Sequence, residues 1–257
     1  MKQIKLFSMM LLLATMFLSF NACSSDDDNL DNGANGKRIT KIVNEYGQDD
    51  VRTEIFSYSN EKMSKYTAQY KGDTSYENNQ TITYNGNTVT MTGLLDGHKC
   101  VQAYTLNNSG LAISCKVVYE SDRSDKDITF QYSDGYLTGM SYTDGSYTAT
   151  LIFSYSKGNI IKATESYNRE NVSYTLDYSN NENKGIMNPF LEDILFAHKP
   201  AYYMGILGKS TKNLAVSCTE KYSSSSNEYT CVYGLNNDNY VKTATISNGD
   251  KFTYTFE

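Results

Sequence analysis

Five cysteines, two histidines and the adjacent carboxylates Glu192 and Asp193 are the side chains of this 257-residue sequence best suited to chemistry. His98 stands in "LDGHKC" and His198 in "FAHKP", and neither has partners at the spacing of a metal site or a Ser-His-Asp relay. Both read as histidines of a surface or a helix end. Glu192 and Asp193 are neighbours on a segment that reads as helical, so they point in different directions and make a poor acid/base pair. "DDDNLDN" offers oxygen ligands without the calcium-loop spacing and its closing glutamate. There is no CxxC, no His-rich run and no glycine-rich phosphate loop. The expectation is a protein with no metal, no cofactor and no enzymatic activity.

The fifth cysteine points to a different chemistry. Lys2 and Lys5 precede an apolar run from Leu6 to Phe20, which ends in Asn21-Ala22-Cys23. A charged start, an apolar stretch and a small residue form a signal peptide. The run is too short to span a bilayer comfortably, since a spanning helix takes about 20 residues. Phe20-Asn21-Ala22-Cys23 resembles a bacterial lipobox, with Phe20 where leucine is usual, and makes Cys23 the lipid-attachment residue. Several acyl chains on one cysteine anchor stably, so the membrane is an expected partner. Ser24-Ser25-Asp26-Asp27-Asp28 is similar to the acidic export signal that one branch of Gram-negative bacteria places after the lipid cysteine. Residues 24–36 hold one large aliphatic side chain, Leu30, and no aromatic, the composition of a flexible tether. The division is a signal peptide over 1–22, a lipidated acidic tether over 23–36 and one β domain over 37–257.

Loss of Lys2 and Lys5 with the signal moves the net charge from −6 to −8. A negative chain without a basic cluster is a poor nucleic-acid binder. Aliphatic residues are sparse, and 23 tyrosines make up the difference while tryptophan is absent. Tyrosine buries a ring and keeps its hydroxyl wet or bonded, which suits a thin sheet better than a thick aliphatic core.

A loose phrase recurs: an apolar residue, any residue, Tyr, a polar turn, then a second alternating run. It appears at Phe56, Ile82, Phe130, Phe153 and Cys231, with Tyr58, Tyr84, Tyr132, Tyr155, Tyr178, Tyr233 and Tyr254 as its tyrosines. The shorter gaps between these tyrosines are 21 to 26 residues, about two strands and two turns. Phe56/Tyr58, Ile82/Tyr84, Phe130/Tyr132, Phe153/Tyr155 and Phe252/Tyr254 each share one face of a strand. Ser57, Thr83, Gln131, Ser154 and Thr253 face the other way. Asn85-Gly86, Asp134-Gly135, Asp144-Gly145, Lys157-Gly158 and Asn248-Gly249 supply turns that tolerate positive φ. The fold class is therefore all-β and mainly antiparallel: a hairpin-repeat meander forming a curved, open or partly closed barrel-like sheet. Its strands are too short and too polar for a membrane barrel, which needs an apolar lipid-facing row.

Residues 185–217 break the rhythm and hold both prolines. Asn188 can cap a short helix near 189–197 with Pro189 at its first position, and Pro200 ends it. The helix is expected to cover one end or one face of the sheet.

Beyond the inner membrane an even set of cysteines favours disulfides. Cys218 and Cys231 are centred on "SSSS" at 223–226, and Cys100 and Cys115 lie one residue off the centre of "NNSG" at 107–110. Hairpin turns there bring each pair into opposition, near the separation a bridge needs. The expected bridges are Cys218–Cys231 and Cys100–Cys115.

"KRITKI" at 37–42, the Phe-x-Tyr units, "NPFLEDILF" and "LGKSTKNLAVS" at 207–217 together resemble the domain-of-unknown-function 4595 family, described as having a porin-like fold. The resemblance spans residues 37–257 and implies a secreted bacterial lipoprotein of that fold. It carries no activity and no functional residues. The units are also loosely similar to YD-type repeats of bacterial surface proteins. The functional expectation is a surface-exposed outer-membrane lipoprotein that binds a glycan or a protein without catalysis, at ligand-binding residues the sequence does not identify. The alternative is an envelope-assembly lipoprotein without a small ligand, and a hydrolase is the third reading. The Phe-x-Tyr rows read as core before they read as a ligand platform.

Overall fold

The computed structural model describes residues 36–47, 50–71, 73–121, 123–144, 147–167 and 170–257. The signal peptide, Cys23 and the tether to residue 35 lie outside them. Alternating sequence becomes sixteen antiparallel strands, each hydrogen-bonded to the next in the chain. The first half runs β1 Ile39–Tyr46, β2 Asp50–Ser59, β3 Lys62–Tyr70, β4 Asp73–Asn85, β5 Thr88–Leu95, β6 His98–Leu106, β7 Ala112–Tyr119 and β8 Lys126–Ser133. The second half runs β9 Tyr136–Asp144, β10 Tyr147–Ser156, β11 Asn159–Tyr167, β12 Glu170–Glu182, β13 Asn213–Lys221, β14 Ser226–Leu235, β15 Val241–Ile246 and β16 Lys251–Phe256. β1 pairs with β16, so the sheet expected to be open or partly closed is a complete barrel. Arg38 and Glu257 finish the seam with reciprocal backbone bonds of 2.9 and 3.0 Å.

The expected faces hold. Phe56, Ile82, Phe130, Phe153, Phe252 and Tyr254 are buried inside. The outer rows are dominated by Ser and Thr, such as Thr148, Thr150, Ser154 and Ser156 on β10. Exposed aliphatics such as Ile55, Ile152 and Val232 are scattered among them. The described exterior thus presents no continuous apolar band of the kind a lipid-facing barrel needs.

The recurring tyrosine has a specific task. Where Tyr58 meets β3, the register passes from Ser57↔Lys65 to Tyr58↔Met63 and leaves Ser64 as a bulge. Equivalent slips leave out Thr138, Ile161 and Val216 on β9, β11 and β13. Others leave out Thr40 on β1 and Ile113 on β7. A bulge disrupts the ladder locally. In each case the carbonyl just before the bulge accepts a tyrosine hydroxyl from the neighbouring strand. Tyr58 donates to Ile39 O (2.9 Å), Tyr84 to Met63 O (2.9 Å) and Tyr132 to Ala112 O (2.8 Å). Tyr155 donates to Leu137 O (2.9 Å), Tyr178 to Ile160 O (2.8 Å) and Tyr233 to Ala215 O (2.7 Å). All six sit near one rim, hereafter the tyrosine end.

A barrel of sixteen strands leaves a wide lumen, and the β12–β13 connection fills it. Residues 183–212 enter and leave at the tyrosine end and touch walls on several sides. Phe56 on β2 packs edge-on against Tyr203 at 5.1 Å, and Phe130 on β8 against His198 at 5.6 Å. Ala112 N on β7 donates to Ile206 O at 2.8 Å. The helix expected near 189–197 is broken up: 3₁₀ turns span Pro189–Leu191 and Phe196–His198, and the α-helical turn, α1, is Lys199–Tyr203. Asn188 does cap the first turn, accepting from Phe190 N at 3.0 Å. Pro200 begins α1 instead of ending a helix, because its fixed φ and missing N–H fit a first turn. The plug passes the β8–β9 turn at Gly208, whose φ is +89° and where a Cβ would lie 2.4 Å from Gly135 O. Only glycine fits there.

Candidate functional site: the open mouth of the barrel

The end opposite the tyrosine rim is open. Its floor is the tip of the plug, from Pro189 to His198, and its walls are the loop-proximal parts of the strands. Two recesses share Tyr174, Asp193 and Ile194. The smaller, about 150 Å³, is an acidic and aromatic vestibule that includes Tyr46, Phe190, Glu220, Tyr229 and Asp250. The larger, about 400 Å³, has aliphatic walls from Leu95, Val117, Ile128 and Met140, with Tyr119, Tyr142, Gln102, Glu165 and His198 among its polar or aromatic groups.

Beneath the vestibule lies a fully buried ionic cluster. On β2, Arg52 and Glu54 alternate with Phe56 and Tyr58 on the inward face, and both charged side chains are 0% exposed. Lys199 reaches Glu54 Oε1 at 2.6 Å and also contacts Glu192 Oε1. Asn44 Nδ2 donates to both of those oxygens at 2.9 Å. Tyr66 donates to Glu54 Oε2 at 2.6 Å and accepts from Arg52 at 3.2 Å. Burial pushes the Glu54 carboxyl up, but Lys199 and Arg52 outweigh it and hold the group below the ordinary range. Burial raises Glu192 above its ordinary range despite Lys199. The cluster fastens the plug to the wall: Glu192 and Lys199 belong to the plug, Asn44, Arg52 and Glu54 to β1 and β2.

His198, read as a surface or helix-end histidine, does stand at a helix end, where the Phe196–His198 turn meets α1, but not at the surface. It is buried, its Nδ1 lies 2.8 Å from Tyr104 Oη, and burial pushes its pKa down to about 4, so it is neutral near pH 7. His98 begins β6. Glu192 and Asp193 do diverge: the first is buried on Lys199, the second exposed at the mouth. Glu165, half-buried, has its carboxyl raised by desolvation.

The expected disulfides are replaced by four free, buried thiols. Across β6–β7, Cys100 faces Tyr119 and Cys115 faces Tyr104, four residues out of opposition. Across β13–β14, Cys218 faces Tyr229 while Cys231 lies two residues further along. The loop is 222–225, one residue earlier than the "SSSS" reading, and that displacement moves the register by two. Burial pushes the Cys115 and Cys218 thiols up to about 12, which leaves them un-ionised. Cys23 lies outside the described residues.

The group that sequence reading missed most clearly is Gln102. It is 0% exposed, and neither its amide oxygen nor its nitrogen has a hydrogen-bond partner among the described residues. The signal was its place between Cys100 and Tyr104 on one inward row of β6. A third recess, about 410 Å³, lies at the tyrosine end under Lys37 and Arg38. Its cations are already engaged: Lys37 contacts Asp238 Oδ2 at 2.5 Å, Lys184 donates to Asp238 O at 2.9 Å, and Arg38 stands 5.0 Å over the Tyr58 ring.

Two solved structures share the fold. A porin-like protein from Bacteroides uniformis ATCC 8492 has a TM-score of 0.70 at 21% identity, covering 85% of this chain and 98% of that one. A porin-like protein from Bacteroides vulgatus ATCC 8482 has a TM-score of 0.63 at 14% identity, covering 86% and 99%. No curated protein matches the sequence. Residues 48–230 match the family described as a domain of unknown function (DUF4595) with porin-like fold, and the chain belongs to that family.

Proposed function

We propose that this protein is an outer-membrane lipoprotein, anchored through Cys23 and facing the cell exterior, whose barrel stands in water as a non-catalytic binding module. Its ligand, a glycan or a protein segment, enters the mouth. The observation that carries this reading is that the mouth is blind. The plug occupies the lumen behind it, and the outer rows are hydroxylated, so the barrel suits holding a ligand better than conducting one. The inner cluster Arg52, Glu54, Glu192 and Lys199 is committed to fastening the plug, which leaves rings, an amide, rim carboxylates and the ring-stacked Arg123 and Lys126 as the chemistry on offer.

Two measurements test it. Radiolabelled palmitate should mark the wild-type chain and not Cys23→Ser; equal labelling sinks the anchor. Residues 24–257, which keep all sixteen strands, should capture a ligand from glycan-array and pull-down screens, and Phe190→Ala with Tyr229→Ala should weaken capture at least tenfold. No ligand, or capture indifferent to those substitutions, sinks the binding role. The second reading, envelope assembly, draws on the recess beside the tether and predicts envelope defects on deletion without any ligand.

A further inference from the structure

Gln102 marks one part of the mouth as built for a particular chemistry. A buried carboxamide whose two ends are both unpaired is rare, because a donor and an acceptor taken out of water without partners cost stability. Here it lines the larger recess, among the aliphatic walls of Leu95, Val117, Ile128 and Met140. Apolar walls with a few convergent polar groups are the usual make-up of small-molecule sites.

We infer that this recess binds an uncharged saccharide ring, with Gln102 reading a pair of neighbouring hydroxyls; the inference rests on the mouth being the binding site. A carboxamide sets a donor and an acceptor side by side in one plane. Two vicinal hydroxyls answer both at once, one accepting from Nε2 and the other donating to Oε1. The C–H faces of a sugar ring suit the rings of Tyr119, Tyr142 and Tyr174 and the aliphatic walls. Glu165 and Asp193, at the same recess, are acceptors for further hydroxyls. A charged ligand group is disfavoured at Gln102 itself, where the amide and the aliphatic walls carry no net charge. An anion meets those carboxylates. The cations there already stack on rings, Arg123 at 5.8 Å from the Tyr119 centroid and Lys126 at 5.9 Å from that of Tyr142. Nothing deep in the recess would compensate a buried charge.

The probes are an array of neutral oligosaccharides, an array of uronic-acid and sialylated oligosaccharides, and a lysine-rich peptide, each applied to residues 24–257. The strongest binder is then titrated calorimetrically. The expected result is binding of a neutral saccharide that falls at least tenfold in Gln102→Leu, while the melting temperature stays level or rises because an unpaired amide has been removed. Gln102→Asn, which withdraws the amide by one methylene, gives the same readout should the leucine variant fail to fold. Neutral-saccharide affinity unchanged in both variants overturns the inference; the mouth reading survives if Phe190→Ala or Tyr229→Ala still weakens binding. Capture of only the acidic sugars or only the basic peptide, lost on the same mouth substitutions, also overturns the inference and leaves the mouth reading standing. Binding that no mouth substitution affects overturns both, and so does no binding of any probe.

Discussion

The two ends of the barrel are secured in opposite ways. The tyrosine end is held by six copies of one neutral bond, a phenol hydroxyl on the carbonyl beside a bulge. At the mouth end the plug is fastened by a buried charged cluster, in which Lys199 joins plug and wall, and by the His198–Tyr104 contact. Repetition spreads the load and makes each bond dispensable. Concentration ties the charged part of that attachment to one lysine and to the protonation of its neighbours. Two of the three recesses lie at the mouth, where plug and wall are joined by charge rather than by repeated neutral bonds.

The sharpest way to break the comparison is Lys199→Met. It strands Glu54 and Glu192 as buried carboxylates with one cation fewer, and removal of one partner from a buried pair costs about 3–5 kcal/mol. Chemical denaturation should show that loss. Adding Glu54→Gln should return part of it, since coupled sites are not additive. A full additive loss in the double variant would show that the cluster does not act as a unit.

Next in size is the response to acid. His198 has its folded pKa depressed to about 4, against an ordinary value of 6.5. Between those values the unfolded chain binds the proton and the folded chain does not. Stability from this group is therefore full above about 6.5 and is lost as pH falls towards 4, by about 3 kcal/mol at most. The raised Glu192 acts with the opposite sign above its ordinary value, so the wild-type curve alone does not isolate the histidine. His198→Gln should be less stable at pH 7.5 and flatter between pH 6.5 and 4, as read by melting temperature. A variant curve parallel to wild type would remove His198 as the cause.

The smallest effects belong to the tyrosine end. Tyr155→Phe withdraws only the donor to Leu137 O, at a half-buried rim where water can substitute, and should cost about 1 kcal/mol. Tyr58→Phe should cost the same, and the two should add to within about 0.5 kcal/mol, because they lie on distant strands without shared partners. Strong coupling between them would mean that the rim is one cooperative unit after all.

Much of the wall was legible in the sequence, because period-two alternation and turn residues are local signals. Phe56 with Tyr58, or Phe130 with Tyr132, identify a face without knowledge of the partner strand. Asp134-Gly135 and Lys157-Gly158 both adopt the positive φ their turns need. The lumen was not legible. The bulges that the tyrosines serve depend on register between strands, and so did the cysteine pairing, which a one-residue displacement of a loop undid. His198 read as a surface or helix-end residue; the helix end was legible beside Pro200, but nothing near it in sequence shows that its turn enters a barrel. The ionic cluster had half a signal: "VRTEIFSYS" places Arg52 and Glu54 on the packed face, where charges need partners. Its other half, Glu192 and Lys199, is more than a hundred residues away.

The seam between Arg38 and Glu257 makes the start and finish of the wall interchangeable with any other strand boundary. A short linker joining those two residues, with new ends cut at 222–225, would give a circularly permuted ring of the same sixteen staves. The free ends would then move from the tyrosine end to the mouth while the order of the staves stays the same, which separates where the chain begins from how the wall closes.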